Sequence, residues 1–221
     1  MNIIFLGPPG SGKDTQAQIL RDNYGYTVIS GGEALREEVE QGGDNAEQIM
    51  YYMNSGLLVP EAITQQVIRD YIKRKDVTSK LAFTGSVRSV PQMQFLDQLM
   101  SELGSQIDAV LYLKLSDKVV ADRIDGRLYA PNSDMTYHVR YKPPKIKGKD
   151  DFTGEDLIKR PDDHPAAILE RLHIFYDSLD EIEAEYAKRG IWHQIKADLS
   201  IAEVQAEIVD VLKLTKQTGQ L

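Results

Sequence analysis

The sequence predicts an α/β protein built on a five-stranded parallel sheet that is covered by helices on both faces. Five short runs rich in branched apolar residues recur along the chain, at 2–6, 27–30, 81–84, 109–113 and 192–195, and helical patterns separate most of them. Strands that alternate with helices need crossover connections, which give parallel pairing and three layers. A glycine-rich loop directly after the first run indicates the three-layer fold of phosphate-loop (P-loop) proteins.

The clearest helices lie near the two ends of the chain. Apolar residues at steps of four and three predict a long helix from about Pro165 to Arg189. Ser200 and Glu203 have the spacing of a capping box, which predicts the start of the last helix. The helix after the glycine-rich loop should end at Gly25, because glycine accepts the positive φ that a helix C terminus favours.

Two stretches interrupt the alternation of strands and helices. Residues 31–60 carry only short helical patterns, and residues 127–164 contain the helix-hostile runs YAPNS and YKPPKIKGKDDFTG. Apolar residues in the second stretch are too sparse for a core layer. We therefore expect a core domain made of 1–30, 61–126 and 165–221, with 31–60 and 127–164 as insertions mounted on it.

Charge and composition exclude several classes of protein. The chain has 221 residues, with 26 Lys and Arg against 34 Asp and Glu, and its formal charge is −8. This balance argues against general affinity for nucleic acid or acidic membranes, so an anionic ligand must meet a local basic pocket. Cysteine is absent, which excludes disulfides and thiolate metal sites, and the N-terminal run is too short for a signal peptide or a membrane span. We expect a cytoplasmic monomer without nucleic acid or membrane partners.

The loop at Gly7–Thr15 has the phosphate-binding pattern GxxxxGK. Its sequence is GPPGSGKDT, and it follows the first predicted strand and opens the first helix. Glycines let main-chain N–H groups turn toward phosphate oxygens, the helix N terminus adds partial positive charge, and Lys13 adds a full one. A plain Gly–Pro turn is the alternative, and the position at the first strand–helix junction disfavours it. The pattern usually continues with Ser or Thr, whereas this chain has Asp14 and then Thr15.

Over essentially its whole length the chain resembles the adenylate kinase family of nucleoside monophosphate kinases. GPPGSGKDTQA resembles the family's GxPGxGKGTQA except at Asp14. Further likenesses follow in order: ISGGEALR at 29–36 to ISTGDMLR, GLLVPEAI at 56–63 to GxLVPDEI, FTGSVRSVPQ at 83–92 to LDGFPRTxxQ, Arg123 and Arg127 to RxxxR, 137–163 to the long lid, and Arg171 to the last catalytic arginine.

The resemblance implies an ATP:AMP phosphotransferase that makes two ADP with Mg²⁺ as the cofactor of ATP. It implies that residues 31–60 bind the monophosphate and that 127–164 form a lid. The catalytic residues it implies are Lys13, Arg88, Arg127, Arg160 and Arg171. Their charges repel one another in an empty cleft, so we expect both insertions to open without ligand and to close around nucleotides.

The resemblance also implies two sets of binding residues. The ATP set is Gly10, Ser11, Gly12, Lys13, Asp14, Thr15, Arg123, Arg127, Thr136, Tyr137 and Leu199. The AMP set is Gly31, Arg36, Leu57, Leu58, Val59, Gly85, Ser86, Val87, Arg88, Gln92, Arg160 and Arg171, with Gln92 as a reader of adenine. No protein side chain is implied as a direct metal ligand, because Mg²⁺ would be held through the nucleotide phosphates.

The lid lacks a His/Cys cluster, so a zinc-bound form is excluded and polar hydrogen bonds must hold it together. We expect Tyr129, Asn132, Asp150 and Thr153 to form that network. Asp162 and Asp163 either pair with lid arginines or cap the following helix, and the sequence favours neither interpretation.

The sequence departs from the family pattern at the metal and acceptor sites. Thr84 replaces an Asp that helps to hold the waters of Mg²⁺, and Ser86 and Val87 replace Phe and Pro of the same motif. Gly31 replaces a Thr that borders the acceptor base, and Glu33 replaces an Asp.

These departures leave alternatives open. Asp14 either supplies a carboxylate in place of the one missing at Thr84 or caps the first helical turn. Gly31 leaves room beside the acceptor base, so UMP, CMP or GMP could be accepted. A third possibility is a catalytically weak nucleotide-binding sensor, although the arginine set argues against it.

Overall fold

The computed structural model describes residues 1–55, 57–133, 135–159, 163 and 165–214. Seven strands and eight helices are placed within these ranges. The strands are β1 (Ile3–Leu6), β2 (Thr27–Ser30), β3 (Leu81–Thr84), β4 (Ala109–Lys114), β5 (Arg127–Tyr129), β6 (Thr136–His138) and β7 (Trp192–Lys196). The helices are α1 (Lys13–Tyr24), α2 (Gly31–Glu40), α3 (Ala46–Asn54), α4 (Glu61–Lys75), α5 (Val90–Glu102), α6 (Asp117–Asp125), α7 (Pro165–Lys188) and α8 (Ile201–Leu212).

Five strands form one sheet in the order β2-β3-β1-β4-β7. Every neighbouring pair is parallel, and Ile3 of β1 lies opposite Ala82 of β3 and Ala109 of β4. The sheet predicted from the sequence is therefore confirmed, with each strand within one residue of its expected bounds.

Helices cover both faces of this sheet because successive side chains of a strand point to opposite sides. Ile4 and Leu6 of the central strand pack into a core cluster with residues of α4, α5 and α7. Ile3 and Phe5 pack into a second cluster with residues of α1 and α8. The three-layer α/β fold predicted from the sequence is confirmed.

The predicted helix ends agree with the structure. Gly25 has φ 71° and its N–H donates to carbonyls at the end of α1. The Ser200 side chain accepts from the Glu203 N–H, and the Glu203 carboxylate accepts from the Ser200 N–H, which completes the capping box of α8. The long helix ends at Lys188, one residue before the predicted end.

Residues 31–60 and 127–164 contribute no strand to the main sheet in the described part of the chain. The first stretch holds α2 and α3. The second begins with β5, which pairs antiparallel with β6 in a separate two-stranded sheet. The short polar strand Thr136–His138 was not predicted, because three residues carry no usable periodicity. That the two stretches move as separate units stays a prediction.

None of the described helices is both long and apolar enough to cross a bilayer.

Candidate active site

A cavity of about 650 Å³ opens where β1 and β3 end. It is lined by the loop after β1, by Thr84 and Gly85 after β3, and by residues of β6, α6 and α7. Ligands of open α/β sheets bind at the carboxyl ends of the strands, where neighbouring connections leave in opposite directions. This cavity occupies that position.

The loop between β1 and α1 depends on its glycines. Gly7 has φ 148°, and a Cβ there would meet the Leu113 carbonyl at 2.8 Å. Gly12 is the residue before α1 and has φ 92°, in the left-handed region that glycine favours. The loop closes on itself through the Ser11 N–H, which donates to the Pro8 carbonyl at 3.1 Å. The N terminus of α1 consequently faces the cavity, as anion binding requires.

The Lys13 ammonium is held by the same loop. Its Nζ donates to the carbonyls of Gly7 at 2.8 Å and Pro8 at 2.9 Å, and it lies 3.2 Å from the Ser11 hydroxyl. Burial lowers the pKa of Lys13 to about 8, with a raising contribution from Asp14 and lowering ones from Arg88 and Arg127. Lys13 therefore lies in the electrostatic field of two of the predicted catalytic arginines.

Five of the predicted arginines line this cavity: Arg36, Arg88, Arg123, Arg127 and Arg171. They come from five different places in the sequence, which the fold brings together around one space. Arg160, the remaining member of the predicted set, lies outside the described residues.

The Arg88 main chain is fixed by the start of α5. The amide oxygen of Gln92 accepts from the Arg88 N–H at 2.8 Å. Ser89 caps α5 through its hydroxyl, which accepts from the Gln92 N–H at 3.4 Å. Gln92 is 6% exposed. Its amide oxygen thus holds the loop that carries Arg88, a contact that the sequence did not predict.

Asp163 supplies a negative charge to the arginine cluster. Arg127 Nε donates to Asp163 Oδ2 at 2.7 Å, Arg127 Nη2 bonds Oδ1, and Arg171 Nη1 lies 3.8 Å from Oδ1. The structure thus supports the pairing interpretation of Asp163, whereas Asp162 lies outside the described residues. This carboxylate offsets part of the positive charge of the cluster, and the opening of residues 31–60 and 127–164 without ligand stays a prediction.

The ATP positions predicted from the sequence are brought together. All of them line the cavity. Arg123 Nη2 donates to the Ala197 carbonyl at 2.7 Å, and its guanidinium lies 5.7 Å from the Tyr141 ring centroid. Arg123 is therefore fixed between the loop after β7 and the segment that follows β6.

The comparisons with known proteins agree with this geometry. The sequence pattern of the family described as adenylate kinase matches residues 5–191. An adenylate kinase from Methanothrix thermoacetophila is 36% identical over 212 residues, covering 96% of this chain and 98% of that protein. An adenylate kinase from Syntrophomonas wolfei is 32% identical over 213 residues, covering 96% of this chain and 99% of that protein.

The chain belongs to the adenylate kinase family. The resemblance inferred from the ordered motifs is thereby confirmed, and with it the enzymatic class of the protein. The likeness extends over residues 31–60 and 127–164 as well as over the strands and helices of the main sheet.

The predicted AMP positions fall into two groups. Arg36, Gly85, Val87, Arg88 and Arg171 line the cavity. Six other described positions do not belong to its lining: Gly31, Leu57, Leu58, Val59, Ser86 and Gln92. The cavity lining therefore includes the three described arginines of the predicted acceptor site. It does not include Gly31 or Gln92, which were predicted to contact the acceptor base.

Gly31 does not leave the room that the sequence suggested. A Cβ at this position would lie 2.9 Å from the Gly85 carbonyl oxygen, which is too close for ordinary packing. Glycine at this position allows the start of α2 to approach the loop after β3. The expectation of extra space beside the acceptor base is therefore wrong.

The lid segment is held together around Asp150, as expected. Tyr137 OH donates to Asp150 Oδ1 at 2.7 Å, and the Thr153 N–H and hydroxyl donate to Oδ2 at 2.8 and 2.9 Å. Burial alone would raise the pKa of the Asp150 carboxyl, but hydrogen bonds from Tyr137, Thr153 and Ser133 lower it to about 2. Asp150 is therefore ionised throughout the physiological range.

The other two predicted lid residues behave differently. Asn132 joins the network through Glu155, whose carboxylate accepts from the Asn132 side chain at 2.7 Å and from the Thr153 hydroxyl at 3.1 Å. The Tyr129 ring lies against Arg36, and its predicted part in the hydrogen-bond network stays a prediction. Tyr129 lies near the start of residues 127–164, and there its side chain faces Arg36.

The residues around the phosphate loop offer few oxygen ligands for a metal ion. Within the described ranges, no group of three or more His, Asp or Glu side chains is arranged to hold one. Thr84 lines the cavity with a buried hydroxyl oxygen that has no hydrogen-bond partner among the described residues, whereas Asp14 is exposed in the first turn of α1. This sparse set fits a cation held chiefly by nucleotide phosphates and water, as Mg²⁺ usually is.

Proposed function

We propose that this protein transfers the γ-phosphoryl group of ATP to AMP and produces two ADP. The observation that carries the proposal is the convergence of Lys13, Arg88, Arg127 and Arg171 on one cavity beside a phosphate loop. Membership of the adenylate kinase family supports the same reaction.

The chemistry requires this kind of site. Phosphoryl transfer spreads negative charge over the transferred group, so catalysis depends on positioning and on fixed positive charge. Guanidinium groups stay charged and bind phosphate oxygens with two parallel N–H donors. Arg88, Arg127 and Arg171 would surround the group in transfer, Lys13 and the loop amides would hold the donor phosphates, and Arg123 would lie along the donor adenine.

The acceptor would bind on the α2 side of the cavity. Arg36 and Arg88 would hold its phosphate, since both line the space beside the loop after β3. Four of the six predicted acceptor positions outside the lining would join it through movement of residues 31–60 when AMP binds: Gly31, Leu57, Leu58 and Val59. This proposed movement would also exclude water from the reacting groups.

Mg²⁺ is proposed as the cofactor of ATP. The Thr15 hydroxyl, the Asp14 carboxylate and the buried Thr84 hydroxyl are the oxygens of the described cleft that would face the metal or its waters. The ion would neutralise charge on the phosphates.

The monomeric state expected from the sequence stays a prediction. The cytoplasmic location expected from the sequence stays a prediction. The alternative acceptors gain no support, because the space expected beside Gly31 is filled by the Gly85 carbonyl. The sensor interpretation gains none either, because the chain belongs to an enzyme family.

A coupled assay with purified protein tests the proposal. ATP and Mg²⁺ are offered with AMP, CMP, UMP or GMP in turn, and ADP formation is followed. We expect AMP to be the preferred acceptor. Folded protein that binds ATP without transferring phosphate to any monophosphate would overturn the enzymatic proposal, and a preference for another base would overturn the assignment of AMP.

A further inference from the structure

Tyr129 contacts an arginine that belongs to the other insertion. The guanidinium carbon of Arg36, on α2, lies 5.6 Å from the centroid of the Tyr129 ring, on β5. A cation within about 6 Å of an aromatic centroid is attracted to the face of the ring. The contact therefore joins residues 31–60 to residues 127–164 directly across the cleft.

The Tyr129 ring is held firmly by the strands around it. The Tyr129 N–H donates to the Ile158 carbonyl at 2.8 Å, and the Ile158 N–H donates to the Tyr129 carbonyl at 2.9 Å. On its other side, Tyr129 lies opposite Thr136 of β6. The residue is 7% exposed. The ring thus offers Arg36 a fixed surface at the base of the 127–164 segment.

Arg36 reaches the cavity from the opposite side. It lies on α2 and lines the cavity, and the proposed function gives it the phosphate of the acceptor. A guanidinium that stacks on a ring uses its face, while the N–H donors along its edges remain directed outward. A ring beneath Arg36 therefore restricts the plane of the guanidinium group without competing for the N–H donors that bind a phosphate.

We infer that Tyr129 is a positioning residue for the acceptor, which orients Arg36 and links the lid segment to the acceptor segment. This inference rests on the proposed function, because it takes Arg36 to be a ligand of the acceptor phosphate. The two residues lie on different insertions, so the contact forms only when both insertions are near their present positions.

Such a contact makes binding at the two sites interdependent. Donor binding that holds the lid segment in place also holds the ring under Arg36, and this raises the affinity for the acceptor. By thermodynamic linkage, acceptor binding raises the affinity for the donor by the same factor. The ring itself touches neither the reacting atoms nor the donor in this account.

Two substitutions at this position separate the aromatic face from the hydroxyl. Tyr129→Leu removes the ring, and Tyr129→Phe keeps its face and loses only the hydroxyl. We expect Tyr129→Leu to raise the KM for AMP at saturating ATP about fivefold, on the scale of one cation–π contact, with kcat and the KM for ATP extrapolated to zero AMP within about twofold of wild type. Tyr129→Phe should restore the KM for AMP to within about twofold. Phe152→Leu, at a lid side chain that is 75% exposed, is the matched control and should change neither KM.

A binding experiment measures the coupling between the donor and acceptor sites directly. AMP affinity is determined by calorimetry with and without a non-hydrolysable ATP analogue, and the enhancement seen in wild type should fall to near unity in Tyr129→Leu. If Tyr129→Leu folds poorly, Tyr129→Val replaces it. A double-mutant cycle with Arg36→Lys then tests whether the effect of the ring acts through Arg36. Lysine lacks the planar fork, so loss of the ring should cost far less AMP affinity in that background.

Three results would overturn the inference: a rise in the KM for ATP extrapolated to zero AMP as large as the rise in the KM for AMP, a Tyr129→Phe defect as large as that of Tyr129→Leu, or additive effects in the cycle. Failure of the proposed function gives a different result, because wild-type protein would then show no ADP formation from ATP and AMP at all.

Discussion

Asp163 binds Arg127 through both oxygens of its carboxylate, with Arg127 Nε 2.7 Å from Oδ2 and Nη2 bonded to Oδ1. The Asp163 side chain is 3% exposed, and Arg171 lies on the same oxygen at 3.8 Å. A buried carboxylate between two guanidinium groups fixes their planes before any nucleotide arrives. Phosphates that enter the cavity then meet arginines that are already oriented.

Replacing Asp163 by Asn tests this arrangement. Asp163→Asn keeps the shape of the side chain and removes its charge, so Arg127 and Arg171 would lose the carboxylate that they share. We expect the free energy of unfolding to fall by about 2 kcal/mol, on the scale of hydrogen bonds to charged groups. Inorganic triphosphate should restore much of the loss. Asp177→Asn, at an exposed position of α7, is the control in thermal and chemical denaturation. An Asp163→Asn protein as stable as its control would contradict the structural role.

Arg88→Ala tests the arginine cluster in the reaction. Removal of one preorganised charge-stabilising donor should reduce transition-state stabilisation by about 3 kcal/mol or more, which corresponds to a loss of at least about 100-fold in rate. The melting temperature should scarcely change, because Arg88 lines a cavity and is not part of the core. The matched control is Arg69→Ala, which removes a surface ion pair with Glu102. If Arg88→Ala retains activity within about threefold of wild type, the proposed role of Arg88 is wrong.

Nucleotide affinity should depend on pH through Lys13. Burial lowers the pKa of Lys13 to about 8, so the empty protein loses this charge as the pH rises through that value. Phosphates prefer the ammonium form, and affinity for ADP in the absence of metal should therefore fall above pH 8, by at most about tenfold per pH unit.

Two variants assign the fall in affinity to Lys13. Lys13→Arg stays charged and should flatten the profile. Burial also lowers the pKa of Lys142, which lines the same cavity, and Lys142→Met should keep the fall if Lys13 causes it. Calorimetry from pH 7 to 9.5 makes the measurement. A flat wild-type profile would refute the assignment.

The Mg²⁺ dependence should show whether Asp14 replaces the carboxylate missing at Thr84. If it does, Asp14→Gly should weaken activation by Mg²⁺ about 10- to 100-fold, and Thr84→Asp should restore it in that variant. The double-mutant cycle should then show a coupling of about 1 kcal/mol or more. Asparagine has the same size as aspartate without its charge, so Thr84→Asn serves as the control. An equal effect of Thr84→Asp in both backgrounds would show that the two positions act independently.

The sheet and the donor side of the cleft were predictable because their signals are local. A glycine-rich loop between a buried strand and a helix has one structural solution, so the positions of Lys13 and Thr15 followed from spacing. The capping box at Ser200 likewise depends on residues within one helical turn. The continuous apolar run of the central strand predicted that both of its faces are buried.

The acceptor side was less predictable because its contacts join distant segments. The Gly85 carbonyl that fills the space at Gly31 comes from another strand end, and no pattern around Gly31 indicates it. The contact of Tyr129 with Arg36 arises in the same way. The bond from the Arg88 N–H to the Gln92 amide oxygen spans only four residues, but no pattern in the sequence indicates it. Asp163 looked equally like a helix cap, since either interpretation places an acid just before α7.

Transfer of a labelled phosphoryl group tests the central claim most directly. The protein is incubated with Mg²⁺, AMP and ATP labelled at the γ-phosphorus, and the products are separated and analysed for the position of the label. The account predicts that early in the reaction the label appears at the β-phosphorus of ADP, that two ADP form for each ATP consumed, and that a metal chelator stops the transfer. Release of the label as inorganic phosphate, or labelled ATP that persists with AMP bound, would contradict the account.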